Sequence, residues 1–540
     1  MSNPDPFVIP EILACIAKFL TRGQAATCMR VCKAWTPEFE RATWRSVEFS
    51  DDPFPVFPQP SLELLKQNAH HIRRLDYTYS DDDDAAATAL LLRCPHLQTV
   101  HFHDEGGDPW DVFSQMIEHL PSLYKIELEG GDSTLVVPEK FLKAMLTCPK
   151  LVVLETTGLM IYKQSEEYFR TIAPRMRRVA TREDAYLVRK SEWAADILFP
   201  ELRYLDLRST VGLEDELEWI VRCPNLISLG WEVPDLPMPI DEFCSRVPVA
   251  CPHLTCFELF LGMPDEFIAR IMDAIPRIEK FTVAKSDFGT KSIVALRRHF
   301  PTLKDFNIQY NVSRSSKMVQ EILSSCPNLL SLCADEIYYE DLIKQPWVCR
   351  DLRLLDVGIR TSDSRTQQKE IYKRLAGLKE LEWLCIGGFE LEIDGEHMDL
   401  TLAAGLDALK SLTKLETFNG KGVLGPAIES KGYECVGWML ENWTRLQTLE
   451  GHIREDHPAS DKIRGALDER GIKYIEEEDE EEELDSELGY DDYYDFDDFD
   501  EFGGYYSDVG HVFGGPHSFD YGFDYDDDDD DEEDEWTDDE

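Results

Sequence analysis

Several groups of side chains have the types and spacing to do chemistry. His70-His71 and His101-x-His103 bring pairs of imidazoles close enough to share a metal ion, and Cys28-x-x-x-Cys32 sets two thiols one helical turn apart. Arg175, Arg177, Arg178, Arg182, Arg189, Lys190, Arg203 and Arg208 concentrate positive charge in an otherwise acidic chain. Arginine grips a carboxylate or phosphate with parallel N–H groups, so such a cluster suits an anion. The metal reading lacks support, because the histidines have no cysteine or carboxylate partners at a ligand spacing. Cys28 and Cys32 have no second pair, and helical spacing explains them as core. No metal or other cofactor is expected. The chain has no G-x-x-x-x-G-K-[ST] loop, no G-x-S-x-G elbow and no H-E-x-x-H helix, so no catalytic role is expected.

The elements that would position these groups form a repeat. Its unit is an apolar residue, often a proline, then apolar positions spaced L-x-x-L-x-L. Cys94-Pro95-His96-Leu97-Gln98-Thr99-Val100-His101-Phe102 and Phe300-Pro301-Thr302-Leu303-Lys304-Asp305-Phe306-Asn307-Ile308 are two copies. The first leucine-like residue falls at Ile72, Leu97, Leu123, Leu151, Met176, Leu202, Leu226, Leu254, Ile278, Leu303, Leu329, Leu352, Leu381, Leu415 and Leu446, in steps of 23 to 34 residues. Most of these steps fall in the range of leucine-rich repeats. The period-two part predicts a short strand, and the upstream apolar spacing of three and four predicts a helix. Proline beyond the helix punctuates the turn. No unit buries both faces alone, so stacking predicts an α/β solenoid: a curved parallel sheet with helices on the convex side. Lys462–Arg470, ended by Gly471, is expected to form the last helix, and Ile472–Ile475 a capping strand. Five cysteines precede proline, at Cys94, Cys148, Cys223, Cys251 and Cys326. Phe199, Leu120, Ile275 and Phe300 fill the same slot elsewhere, so these thiols are expected to be reduced and buried.

Strand residues between the buried leucines are expected on the concave side. The middle column runs from His101, Glu127, Glu155, Ala180, Asp206, Gly230 and Glu258 to Glu450 and contains no Lys or Arg. A neighbouring column includes His103, Glu129, Arg182, Arg208, Glu232, Phe260 and Asp335. Arg178, Arg182, Arg208, Asp206, Glu258 and Phe260 are the candidate substrate-binding residues. The arginines would form an anion site for an acidic or phosphorylated segment or for the chain's own tail; the plainer reading is charge balancing on a solvated rim.

Ahead of the repeats, Pro10 suits the first turn of a helix in which Ile12, Ile16, Phe19 and Leu20 share a face. Thr21-Arg22-Gly23-Gln24 matches a capping box, a second helix would align Ala25, Cys28, Cys32 and Trp35, and Thr36-Pro37-Glu38 opens a third. Three short helices make too small a core to stand alone, so they should lean on the solenoid, on a partner, or on both. The run Ile9–Trp44, with Pro10-Glu11-Ile12-Leu13, the apolar pattern through Leu20, Val31-Cys32-Lys33-Ala34-Trp35 and Trp44, resembles the F-box of SCF-type cullin–RING ubiquitin ligases. It departs from that family at Thr21–Ala26, where an acidic residue and a leucine are common. The resemblance implies that Pro10, Ile12, Leu13, Leu20, Val31, Cys32 and Trp35 contribute to binding a Skp-type adaptor. It also implies that ubiquitin-transfer chemistry belongs to other subunits. Together with the repeats, the chain resembles the leucine-rich-repeat class of F-box proteins: residues 7–50 the F-box, 51–475 about fifteen repeats, 476–540 a tail outside the resemblance.

The net charge is −51, and residues 476–540 hold 33 acidic residues and no Lys or Arg, which leaves −18 for the rest (−51 + 33). The tail is expected to be disordered, since it cannot offset its ordering entropy. Nucleic-acid binding is disfavoured by phosphate repulsion. No apolar run approaches the ~18 residues of a membrane span and no signal peptide is evident, so a cytoplasmic or nuclear location is expected. The resulting expectation is a substrate receptor that joins an unknown protein substrate to a cullin–RING ligase through the adaptor. The alternative is a repeat scaffold outside any ligase, its acidic tail binding basic proteins such as histones.

Overall fold

Where the apolar period shifts from three-and-four to two, the computed structural model turns from helix to strand. It describes residues 9–475 except 21, 50–61, 80–93, 105–109, 119, 130–134, 158, 161–165, 183–197, 208–212, 233–239, 261, 312–315, 362–363, 388–397, 424–431 and 453–459; the tail from 476 also lies outside the description. Among the described residues seventeen strands form one sheet, each pairing in parallel with the next in chain order. The chain is a leucine-rich-repeat solenoid.

The register carries one apolar column through the sheet: Leu75, Val100, Ile126, Leu154, Val179, Leu205, Leu229 and Phe257, continuing to Phe281, Phe306, Leu332, Leu355, Leu384, Phe418 and Leu449. Every one of these side chains is at most 2% exposed. Each fully buried side chain of this kind stabilises by roughly 1.5–3 kcal/mol. The helices, such as Glu139–Leu146 and Asp265–Ala274, close the other side of this core with Phe141, Leu142, Ile268 and Ile271. The Cys/Leu/Ile/Phe slot before proline is buried, as its mixed occupancy requires, and all fourteen cysteines are free. Cys148 and Cys251 donate their thiols to the carbonyls of Ile117 (3.3 Å) and Ile220 (3.2 Å), and burial pushes the Cys251 thiol up to about 12.

Both ends of the sheet extend the fifteen expected units. The helix Ser460–Arg470 and the strand Lys473–Ile475 lie where expected, with Gly471 at φ 67° making the turn that a side chain would strain. At the other end Ser46–Phe49 pairs with Arg74–Tyr79 and opens the sheet directly after the third helix, inside the stretch assigned to the F-box.

Polar groups tie neighbouring repeats together. The Asp265 carboxylate accepts from the amides of Gly289 (2.9 Å), Lys291 (2.8 Å) and Ser292 (2.7 Å), and so caps the next repeat's helix, Thr290–Leu296. A Cβ on Gly289 would lie 2.8 Å from Asp265 Oδ2, so that approach requires glycine. His299, buried, accepts the Ile278 amide at Nδ1 (3.2 Å); its proton therefore sits on Nε2 and is donated to the Met272 carbonyl (3.0 Å).

Burial works against ionisation of Asp265, but these bonds outweigh it and hold its carboxyl below 3.8. Its contribution is therefore present above that pH and lost as pH falls further. Asp265→Ala is expected to lower stability by about 1–2 kcal/mol at neutral pH. Urea unfolding should show the gap from wild type narrowing below pH 3.8.

Candidate functional site

The amino-terminal helices Pro10–Ala17, Arg22–Cys28 and Thr36–Thr43 enclose their own small core of Leu13, Ala17, Ala25 and Phe39, with Ile16, Leu20, Cys28, Met29 and Trp35 packed on it. Proline opens the first helix and lies in the first turn of the third. Trp44 packs against the core of the solenoid, and the Arg73 amide donates to the Arg45 carbonyl (2.9 Å), so the unit leans on the first repeats.

This geometry sorts the residues implied in adaptor binding. Pro10, Ile12, Val31 and Cys32 are exposed, with Ile12 at 38% and Val31 at 61%. Leu13 is 1% exposed and is a packing residue, while Leu20 and Trp35 are half-buried on the same core. The expected stripe through Cys32 and Trp35 is broken, because the second helix ends at Cys28. The Thr36 hydroxyl then closes the following turn on the Met29 carbonyl at 3.1 Å. Phe19, read from sequence only as part of an apolar helix face, follows the end of the first helix and is 87% exposed. Thr21, the proposed capping residue, lies outside the described residues.

On the open face of the sheet the register reproduces the expected middle column from His101 through Glu127, Glu155, Ala180, Asp206, Gly230 and Glu258 to Glu450, and adds Asp76 ahead of it. Of the column before it, sequence reading picked out Arg178 but missed Arg74, Lys125 and Lys280, which also stand beside these acids. The signal was the residue two positions earlier in each strand.

The two columns neutralise each other. Arg74 Nε reaches both Asp76 oxygens at 3.1 Å, Lys125 holds Glu127 and Glu155, Arg178 pairs with Glu155, and Lys280 Nζ lies 2.6 Å from Glu258. His101 Nε2 meets Glu129 Oε2 at 3.0 Å, its Nδ1 faces Asp76 at 3.7 Å, and His103 Nδ1 lies 3.4 Å from the same Glu129 oxygen. Hydrogen bonds from His101 and His103 hold the Glu129 carboxyl well below the usual range. Burial pulls His101 down, but Asp76 and Glu129 overcome it and raise its pKa to about 9.

Asp76, His101 and Glu127 bring ligand atoms within 4.8 Å of one another, so folding does supply carboxylates that the sequence spacing lacked. Arg74 and Lys125 already hold those carboxylates and His101 carries its proton, so the cluster is a charge network first.

Only part of the arginine cluster falls among the described residues. Arg178 is engaged by Glu155 and lies over the Tyr204 ring at 3.8 Å. The side chain of Arg182 and all of Arg208, Arg189 and Lys190 lie outside the described residues. Asp206 is fully buried and unavailable to a partner. Gly230, whose Cβ would fall 2.4 Å from Asp206 Oδ1, leaves room for that carboxylate, and the Tyr204 hydroxyl donates to it at 3.4 Å. Glu258 is tied to Lys280, and Phe260 is half-buried at its strand's end.

No family model matches the chain. No curated protein matches it either. Solved structures do. A TLR13–ssRNA13 complex is similar at 13% identity and TM-score 0.36, covering 78% of this chain; the chain spans 56% of the TLR13 chain. An internalin, InlF of Listeria monocytogenes, gives 14% identity and TM-score 0.33, covering 67% of this chain and 88% of its own. Rad7, in a complex of Rad7 and Elc1 in yeast, gives 11% and 0.36, covering 88% and 98%. The class, a leucine-rich-repeat solenoid, rests on this chain's own strand register. Among the described residues no helix is long and apolar enough to cross a membrane.

The His101 pKa, raised from 6.5 to about 9, makes its contribution complete below pH 6.5 and lost as pH rises through about 9. Thermal unfolding across that window should show wild type losing stability relative to His101→Gln. Equal slopes would mean that His101 is not held by Asp76 and Glu129.

Proposed function

We propose that the chain is the substrate-recognition subunit of an SCF-type cullin–RING ubiquitin ligase, its three-helix unit docking on a Skp-type adaptor and its repeats holding a protein substrate. The observation that carries this reading is the surface of the helical unit: a core of its own beneath, and Ile12, Phe19 and Val31 left at the surface. Large apolar side chains concentrated on so small a unit suit burial by a partner. The F-box resemblance of Ile9–Trp44 supplies the partner's class. The contribution to ubiquitin transfer would be positional, raising the effective concentration of substrate near a donor held by other subunits. No catalytic role for the chain is part of this reading, and its place would be the cytoplasm or nucleus.

Pull-down with a purified Skp-type adaptor tests it. Ile12→Asp and Val31→Asp should each reduce capture by more than about ten-fold, since charge at a buried contact costs roughly 2 kcal/mol or more. Leu13→Ala acts differently: it opens a cavity in the unit's own core and should lower resistance to proteolysis of the helices along with binding. Wild type that fails to capture the adaptor with its helices intact would end the ligase reading and leave the repeat scaffold.

A further inference from the structure

The open face changes character along its length. In its first column Arg74, Lys125, Arg178 and Lys280 are all engaged by carboxylates. Further on, the same column carries Leu354 and then Trp383, in register with each other and with Thr417. Trp383 is 40% exposed, and among the described residues its indole makes no ring contact and no hydrogen bond. Leu354 beside it is half-buried.

The surroundings are acidic. Asp356 stands in the second column of the adjacent strand, where its Oδ2 accepts from Gln309 Nε2 at 3.0 Å. Glu382 precedes Trp383 at the strand entrance, and Asp305 lies three strands back in the first column. Among the described residues neither Asp305 nor Glu382 has a cation at ion-pair distance. Lys280 and Lys304, near Asp305, are held by Glu258 and Glu279. Arg353 is the nearby cation without such a partner, and Arg445 is tied to Glu416.

We propose that Trp383, with Leu354 beside it, is the anchor of a protein-docking surface whose occupant is a basic segment of another protein: an aliphatic or aromatic side chain lies on the indole, and neighbouring Lys or Arg residues face Asp356, Glu382 and Asp305. An exposed tryptophan on a rigid strand is the residue type that dominates interface energies, and its ring face also attracts cations. The carboxylates supply charge complementarity to a basic partner. Strand spacing puts Asp305 roughly 14 Å from Trp383. An extended segment crosses that distance in about four residues. The occupant therefore carries its apolar anchor with one basic residue adjacent and another about four positions away. The inference deepens the reading of the repeats as a protein-binding scaffold and is independent of the helical unit.

Short random peptides displayed on phage, selected on the full chain and counter-selected on Trp383→Ala, test it. Both proteins carry the same acidic tail, so peptides held by the tail are removed. Synthetic versions of the survivors are then titrated by fluorescence anisotropy. Apolar residues with Lys or Arg at the stated spacing are expected, binding about ten-fold more weakly to Trp383→Ala and to Trp383→Gln. Asp356→Asn with Glu382→Gln, or added salt, should weaken binding as well. Tyr124→Ala, which removes another exposed aromatic, should leave binding unchanged. The proposal is overturned if no peptide survives counter-selection, if survivors are acidic or lack an apolar residue, or if sedimentation shows wild type pairing with itself through Trp383. Matching thermal melts establish that the variants fold. Adaptor capture by Trp383→Ala, expected to equal wild type, separates failure here from failure of the ligase reading.

Discussion

Parallel pairing in a constant register, strand to next strand, is the constraint on which the rest of this chain depends. Each strand inside the sheet takes its backbone partners from the repeats on either side, so none satisfies its own amides alone. The same register that stacks Leu205 on Leu229 and Leu229 on Phe257 stacks Asp206, Gly230 and Glu258 on the opposite face. A slip of one residue would drive the acids into the core and the leucines into water, which makes the inner column the guarantor of the outer one.

That coupling shapes the electrostatics. Strands 4.8 Å apart bring like charges in one column close together, and the middle column alone would be a ridge of repelling carboxylates. The chain relieves this with a cation column one step away, with His101 between Asp76 and Glu129, and with glycine or burial where no cation stands, as at Gly230 and Asp206. The face therefore carries paired charge in its first part and, further on, the exposed Trp383 near Asp305 and Glu382, which among the described residues have no cation at ion-pair distance.

Much of this was legible in the sequence because repeat spacing and period-two alternation are local signals. The strand positions, the middle column, the cysteine slot and the terminal helix all follow from counting. Pairing between columns was not legible, since Arg178 meets Glu155 only when strands separated by some two dozen residues lie side by side. Nor could composition tell Ile12 from Leu13: adjacent positions on a short helix point one outward and one inward, and only the third helix, bringing Phe39, decides which. Ser46–Phe49 went unread because four residues following a helical module carry too little period of their own. Trp383 was missed for the opposite reason: an apolar residue beside buried leucines passes as core until its column is known.

The bond between Asp265 and the amides beginning at Gly289 reaches beyond the helix it closes. Donor loop and acceptor side chain belong to successive units: the carboxylate occupies the space of the missing Cβ, and the loop's amides take it as their acceptor. Duplication or excision of repeats by unequal crossing-over would separate such partners unless the breakpoints fell in equivalent places in both units. This stretch of the solenoid is thus harder to lengthen or shorten in evolution than the regular spacing of its leucines suggests.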